Sequence, residues 1–168
     1  RDTSDELESL NIEIVAGIDV ADPGSLVALK DAVADRKVGL VFNNAGILRR
    51  DDFDSIGHES VADMVDQFRV NSIGPVLVTR ALIDSLDPGA KIAIVTSRMG
   101  SVTDNNSGGY YGYRMSKAAV NIAGKSLAID LKGRGVGVFL LHPGYVQTDM
   151  TSATADVTPD VSVQGMLA

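Results

Sequence analysis

Tyr113 and Lys117 stand four residues apart in the run Tyr113-Arg114-Met115-Ser116-Lys117. The run opens an apolar repeat through Ala119, Ile122, Ala123 and Leu127 that has the period of a helix. That spacing predicts a phenol and an ammonium side by side on one helical face. A free phenol titrates at about 10 and exchanges protons poorly at neutral pH. A fixed cation beside it favours the phenolate and lowers that value, which makes the pair a candidate general acid and base. A tyrosine four residues before a lysine is also an ordinary solvated helical face, so the pair gains meaning from its company.

That company is Asn43-Asn44-Ala45-Gly46, Asn71, Ser97 and Pro143-Gly144. The first offers small residues and backbone amides through which main chain can approach a flat ligand, and it is equally a good turn. Asn71 falls within a long predicted helix with Pro75 four residues later. Proline has no N–H, so the Asn71 carbonyl loses its helical partner; a kink and a carbonyl free to hold water follow. An ordinary proline kink with a bystander Asn is the other reading. Ser97 closes an apolar run and can donate to a carbonyl oxygen, or cap a turn; Ser101 is its competitor without the strand-end position. Tyr110 and Tyr111 are rivals to Tyr113, but neither has a lysine four residues on. His58 and His142 have no second cluster of ligands, and no metal site is expected.

The elements that must position these groups alternate. Residues 3 to 10 suit one or two helical turns, and Ile12 to Ile18 reads as a buried parallel strand ending at Asp19. Asp22-Pro23 starts a helix that carries Leu26, Leu29 and Val33 and ends near Lys37. Val38 to Phe42 is a strand, Ile47 to Gly57 a loop, and Glu59 to Ser85 a long helix with Val61, Met64, Val65 and Phe68 at core spacing. Lys91 to Thr96 is a third strand and residues 98 to 111 a loop. The Tyr113 helix closes near Gly133 and Gly135, Val136 to Leu141 is a fourth strand, and a further helix starts at Thr158-Pro159. Strands separated by helices predict an α/β doubly wound parallel sheet in a single domain over residues 1–168. Asp19, Asn43, Ser97 and Pro143 then fall at the carboxyl ends of strands, the edge where such sheets bind ligands.

Composition narrows the function. A net charge of -7 and a pI near 4.7 argue against nucleic acid and anionic membrane surfaces, which attract clustered Lys and Arg. Cysteine is absent, which excludes disulfides and thiolate chemistry. No apolar stretch reaches the roughly 18 residues of a membrane span, and a soluble, cytoplasmic protein is expected.

In order and approximate spacing these residues resemble the short-chain dehydrogenase/reductases over nearly the whole chain. Within that family the run Gly108-Gly109-Tyr110-Tyr111-Gly112-Tyr113-Arg114-Met115-Ser116-Lys117 is similar to the C-factor and sniffer-type carbonyl reductases. The resemblance implies a Rossmann-like sheet and an NAD(P)-dependent oxidoreductase acting on a small carbonyl or secondary alcohol, often as a dimer or tetramer. The helices holding Phe68 and Leu127 are then candidates for the subunit interface. It implies Asn71, Ser97, Tyr113 and Lys117 as the catalytic set: Ser97 polarises the substrate oxygen, Tyr113 delivers its proton, Lys117 tunes Tyr113 and bonds the nicotinamide ribose, and the Asn71 main chain holds a relay water. Asn43, Ala45 and Gly46 would line the cofactor ribose and adenine, and Asp19 with Val20 the adenine amino group. Pro143, Gly144, Val146 and Thr148 would lie near the carboxamide, and residues 149 to 157 would form a mobile lid. Arg1 would meet the 2'-phosphate, favouring NADP over the alternative NAD. The family's Gly-x-x-x-Gly-x-Gly loop is missing from the sequence, so the chain is expected to lack the first strand-helix-strand unit and to be cut at both ends. A cofactor-binding signalling or sensor protein with little turnover is the alternative that the resemblance allows.

Overall fold

A computed structural model describes residues 5–151 and 155–168, with side chains from residue 7 onward. In order the elements are α1 (Asp5–Glu8), α2 (Leu26–Ala32), β1 (Val38–Asn43), α3 (His58–Phe68), α4 (Gly74–Leu82), β2 (Leu86–Val95), α5 (Tyr111–Asp130), β3 (Gly137–Leu141) and α6 (Pro159–Leu167). The three strands form one parallel sheet in the order β1-β2-β3, the Rossmann-like α/β arrangement expected from the alternation.

The central strand explains the core. Lys91, Ile92, Ala93, Ile94 and Val95 of β2 pair with β1 on one side and with β3 on the other. Ile92 and Ile94 are completely or almost completely buried, as a continuous apolar run in a flanked strand should be. They cluster with Leu26 of α2, Val78 and Leu82 of α4 and Val120 of α5. The alternate row, Phe42, Ala93 and Phe139, lies on the other face of the sheet, and both phenylalanines remain well exposed.

Four expectations need correction. Ile12 to Ile18 is not a strand: among the described residues it has no ladder partner, and an apolar run without a hydrogen-bonded neighbour cannot become sheet. Ile18 and Val20 instead pack against the core, while Ile12 is exposed. The helix expected from Asp22 starts only at Leu26, because Asp22 turns its carboxylate onto the Gly24 N–H at 2.9 Å and holds a local turn. The long helix from Glu59 divides into α3 and α4 around a wide π turn, Arg69–Ile73, just before Pro75. Finally, Val61, Val65 and Phe68 point outward. The inner face of α3 carries Met64 and Gln67, which meet Gly112 of α5 so closely that a Cβ there would lie 2.4 Å from Gln67 Nε2.

Candidate active site

β2 ends at Val95, and two residues later Ser97 begins the short 3-10 turn Arg98–Gly100, its Oγ accepting from Met99 N at 3.1 Å. The turn closes directly onto α5. At Gly100 a Cβ would lie 2.7 Å from the backbone carbon of Lys117, so only a glycine allows this approach. Tyr113 and Lys117, one turn apart on the inner face of α5, are 8% and 4% exposed. Lys117 Nζ donates to the Val95 carbonyl oxygen at 2.9 Å and lies 5.7 Å from the centroid of the Tyr113 ring.

Electrostatics here differ from the expectation that the cation depresses the phenol. Burial pushes the Tyr113 phenol above its ordinary value, and a hydrogen bond with the Ser97 side chain pulls the other way. Burial also lowers Lys117 from 10.5 to about 8. Desolvation thus dominates both groups: near neutral pH Tyr113 holds its proton and Lys117 is close to releasing one. Ser97, Tyr113 and Lys117 share one neighbourhood at the end of β2.

Asn71 joins them by its side chain. It sits on the π turn, fully buried; Oδ1 accepts from Ile47 N at 2.8 Å, while Nδ2 donates to Ile47 O at 2.9 Å and Ser116 Oγ at 3.0 Å. Ser116 Oγ donates on to Tyr113 O at 2.8 Å, and Ser72 Oγ donates to Ser116 O at 2.7 Å. The sequence reading gave Asn71 a main-chain role and assigned Ser72, Ser116 and Gln67 none. Ser116 was findable, since a serine three residues after Tyr113 returns to the same inner face of the helix.

Asn43 ends β1 with its side chain buried, Nδ2 donating to Ala93 O at 3.5 Å, and Asn44 and Ala45 emerge exposed. A Cβ on Gly46 would stand 3.3 Å from Asn71 Oδ1 and 3.8 Å from Lys117 Nζ, so this glycine lies against both groups. Beyond β3, Gly144 adopts φ 88 and abuts Val157, while Pro143 O accepts from Ser162 Oγ of α6 at 2.6 Å. Val146 pairs with Val157, and its carbonyl accepts from Thr151 Oγ1, which also lies 3.3 Å from Thr148 Oγ1. The expected lid over residues 149 to 157 falls partly outside the described residues, as Arg1 does entirely. Asp19 is exposed and held in a turn, Oδ1 accepting from Ala21 N at 2.9 Å. Val20 packs against Gly74, where a Cβ would come within 2.9 Å of Val20 Cγ2. His142 follows β3, lowered from its ordinary value by partial burial and by Arg98, and His58 opens α3 at the surface.

Comparison with known proteins places the chain in a family. The family described as short chain dehydrogenase matches residues 2–158. The chain is 46% identical over 132 residues to C-signal of Myxococcus xanthus, covering 77% of this chain and 78% of that protein. It is 37% identical over 168 residues to 1-hydroxy-2-glutathionyl-2-methyl-3-butene dehydrogenase of Rhodococcus sp. (strain AD45), covering 96% of this chain and 73% of the relative. Among solved structures, NADPH-bound carbonyl reductase from chicken fatty liver superposes with a TM-score of 0.87 at 30% identity, over 99% of this chain and 76% of that one. The carbonyl reductase Sniffer of D. melanogaster gives 0.85 at 30% identity, over 96% and 73%.

Proposed function

Because the chain belongs to the short-chain dehydrogenase family, we propose that it transfers a hydride between NADP(H) and a small-molecule carbonyl or secondary alcohol, with Tyr113 as general acid in reduction and general base in oxidation. One observation carries the reading: buried Tyr113 and Lys117 stand one turn apart on the inner face of α5, with the Lys117 ammonium bonded to the last carbonyl of β2 and Ser97 beside the phenol at that strand end. Ser97 donates to the carbonyl oxygen and polarises it. The Tyr113 O–H donates its proton to the same oxygen, leaving a phenolate beside the Lys117 ammonium. Asn71 holds the Gly46 end of the loop against Lys117 through its bonds to Ile47.

The residues present fit the nicotinamide end of such a cofactor. Gly46 leaves bare backbone beside Lys117 Nζ, where a Cβ would press on Asn71 Oδ1 at 3.3 Å, so a flat group can approach a buried cation along the β1 edge. Lys117, Asn43 and Ala45 would hold the ribose side, Gly144, Val146 and Thr148 the carboxamide, and Asp19 with Val20 the adenine. Bound NADP(H) supplies or accepts the hydride. The NADPH-bound carbonyl reductase among the structural relatives supports NADP over NAD. Self-association belongs to the same proposal: Val61, Val65 and Phe68 of α3 and Ile122 and Ile129 of α5 form exposed apolar stripes that a second copy would cover.

The test is NADPH oxidation with a panel of aldehydes, ketones and quinones, for this protein and for Tyr113→Phe. Turnover that falls on the order of a hundredfold or more in Tyr113→Phe, with NADPH binding nearly intact, supports the reading; unchanged turnover removes Tyr113 from it. The identity to C-signal favours one second reading, a cofactor-binding signalling or sensor protein with little turnover. Tight NADPH binding with silence across the panel would select it.

A further inference from the structure

We infer that Asp51 is a positioning residue for Tyr113: from the loop after β1 it seats the first turn of α5 and so aims the phenol at the reacting oxygen. The inference rests on the catalytic reading of Tyr113 given above.

A helix leaves its first four N–H groups without partners inside the helix, and an Asp, Asn, Ser or Thr at the N-cap ordinarily serves them. α5 has no such residue. Its N-cap is Tyr110, held in the left-handed region at φ 52, and its side chain makes no capping bond. Asp51, sixty residues before Tyr111, takes that place. Its carbonyl accepts from Tyr110 N at 2.8 Å, one carboxylate oxygen accepts from Tyr111 N, and the other accepts from Gly112 N at 3.0 Å. The first bond within the helix is Arg114 N to Tyr110 O at 2.8 Å. The three N–H groups immediately before Tyr113 therefore all end on one aspartate. Its negative charge also complements the positive end of the helix dipole. Gly109, at φ 61, supplies the left-handed backbone that leads the chain into Tyr110 beside Asp51.

Asp51 is itself held. The backbone from Ile47 anchors at every second residue: Ile47 to Asn71, Arg49 N to Gln67 Oε1 at 2.9 Å, and Asp51 to α5. Gln67 has no exposed surface and touches Gly112, the residue next to Tyr113. The segment thus runs from Gly46, beside Lys117, to Asp51, at the turn that carries Tyr113. Neighbouring Asp52 is the natural control, because its side chain bonds only within its own turn, to Asp54 N at 3.1 Å and Ser55 N at 3.0 Å.

The experiment compares Asp51→Ala, Asp51→Asn and Asp52→Ala with the parent protein, each also carrying Tyr113→Phe in a paired variant. Steady-state kinetics with NADPH are measured, together with the phenol titration of Tyr113, read as the ultraviolet difference within each pair. The expected result is a kcat loss on the order of ten- to a hundredfold in Asp51→Ala, since a small misplacement of a reacting group has that effect. Substrate KM and NADPH affinity stay near the parent values, the Tyr113 titration moves down towards an ordinary phenol, and Asp52→Ala behaves as the parent. Asp51→Asn, which keeps one acceptor oxygen, recovers part of kcat; should Asp51→Ala not fold, an intermediate kcat in Asp51→Asn supports the inference. A parent-like kcat and titration in both Asp51 variants, or an equal loss in Asp52→Ala, overturns it. If Tyr113→Phe alone keeps full turnover, the catalytic reading fails separately, and the titration still decides whether Asp51 seats Tyr113.

Discussion

Lys117 donates from Nζ to the backbone carbonyl of Val95 at 2.9 Å, tying the middle of the α5 inner face to the last residue of the central strand. A cation held by a neutral carbonyl and almost stripped of water is a costly arrangement, and it titrates at about 8 for that reason.

Stability should therefore rise with pH over a defined window. Lys117 has a folded value of about 8 against 10.5 for the ordinary side chain, so between those limits the unfolded chain binds more protons and alkali favours folding. Below about 8 both states are protonated and the full penalty is present. Tyr113 acts in the opposite sense above 10.0, where the unfolded phenol ionises first and stability falls. Urea unfolding of Lys117→Met across this range should lose the rising segment, with a stability near neutral pH little changed, because relief of the buried charge is offset by the unpaired Val95 carbonyl. A rising segment that persists in Lys117→Met would assign it to another group.

The two reaction directions should respond oppositely to pH. Reduction needs the Tyr113 proton and the Lys117 charge, so kcat should fall as pH climbs through about 8, where Lys117 loses its proton. Alcohol oxidation needs the phenolate, whose formation burial postpones, so its rate should keep rising into alkali. Initial rates in both directions, with enzyme stability checked at each pH, measure this. Parallel profiles would contradict it.

Asn71→Ala should destabilise the fold by about 2–4 kcal/mol, because it leaves Ile47 N, Ile47 O and Ser116 Oγ without their partner in a buried setting. Denaturant midpoints at constant m-value give the number. A loss under about 0.5 kcal/mol, the range of neutral surface changes, would mean that water replaces the amide.

Two glycines in similar short turns should behave differently. Gly100→Ala forces a Cβ to within 2.7 Å of Lys117 backbone and should destabilise by about 1–3 kcal/mol or more. Gly133→Ala meets nothing within 4 Å and should be nearly neutral. Thermal unfolding of both variants checks the contrast.

Legibility in the sequence followed the range of the interaction. Val38–Asn43, Gly137–Leu141 and Tyr111–Asp130 were foreseeable near their observed bounds, since each carries its own apolar run or repeat; the central strand was legible only from Lys91, because its start at Leu86 is set by pairing with Val38 and not by a local apolar run. Ile12 to Ile18 carries the same local signal and still forms no strand, because a strand is completed by a neighbour. The outward turn of Val61, Val65 and Phe68 was hidden for a related reason: spacing marks a stripe, and what packs against α3 is the Met64 and Gln67 face meeting Gly112.

At the site, residue type and spacing alone determined that Tyr113 and Lys117 share a helical face and that Asn43, Ser97 and Pro143 stand where strands end, because helix and strand periods are properties of adjacent residues. Tertiary structure decided the rest. It set the sense of both titrations, since desolvation depends on what covers a group. It also gave Asn71 its side-chain partners and placed Asp51 on α5, pairings made across 24 and 60 residues of chain that only the closed fold brings within hydrogen-bond reach.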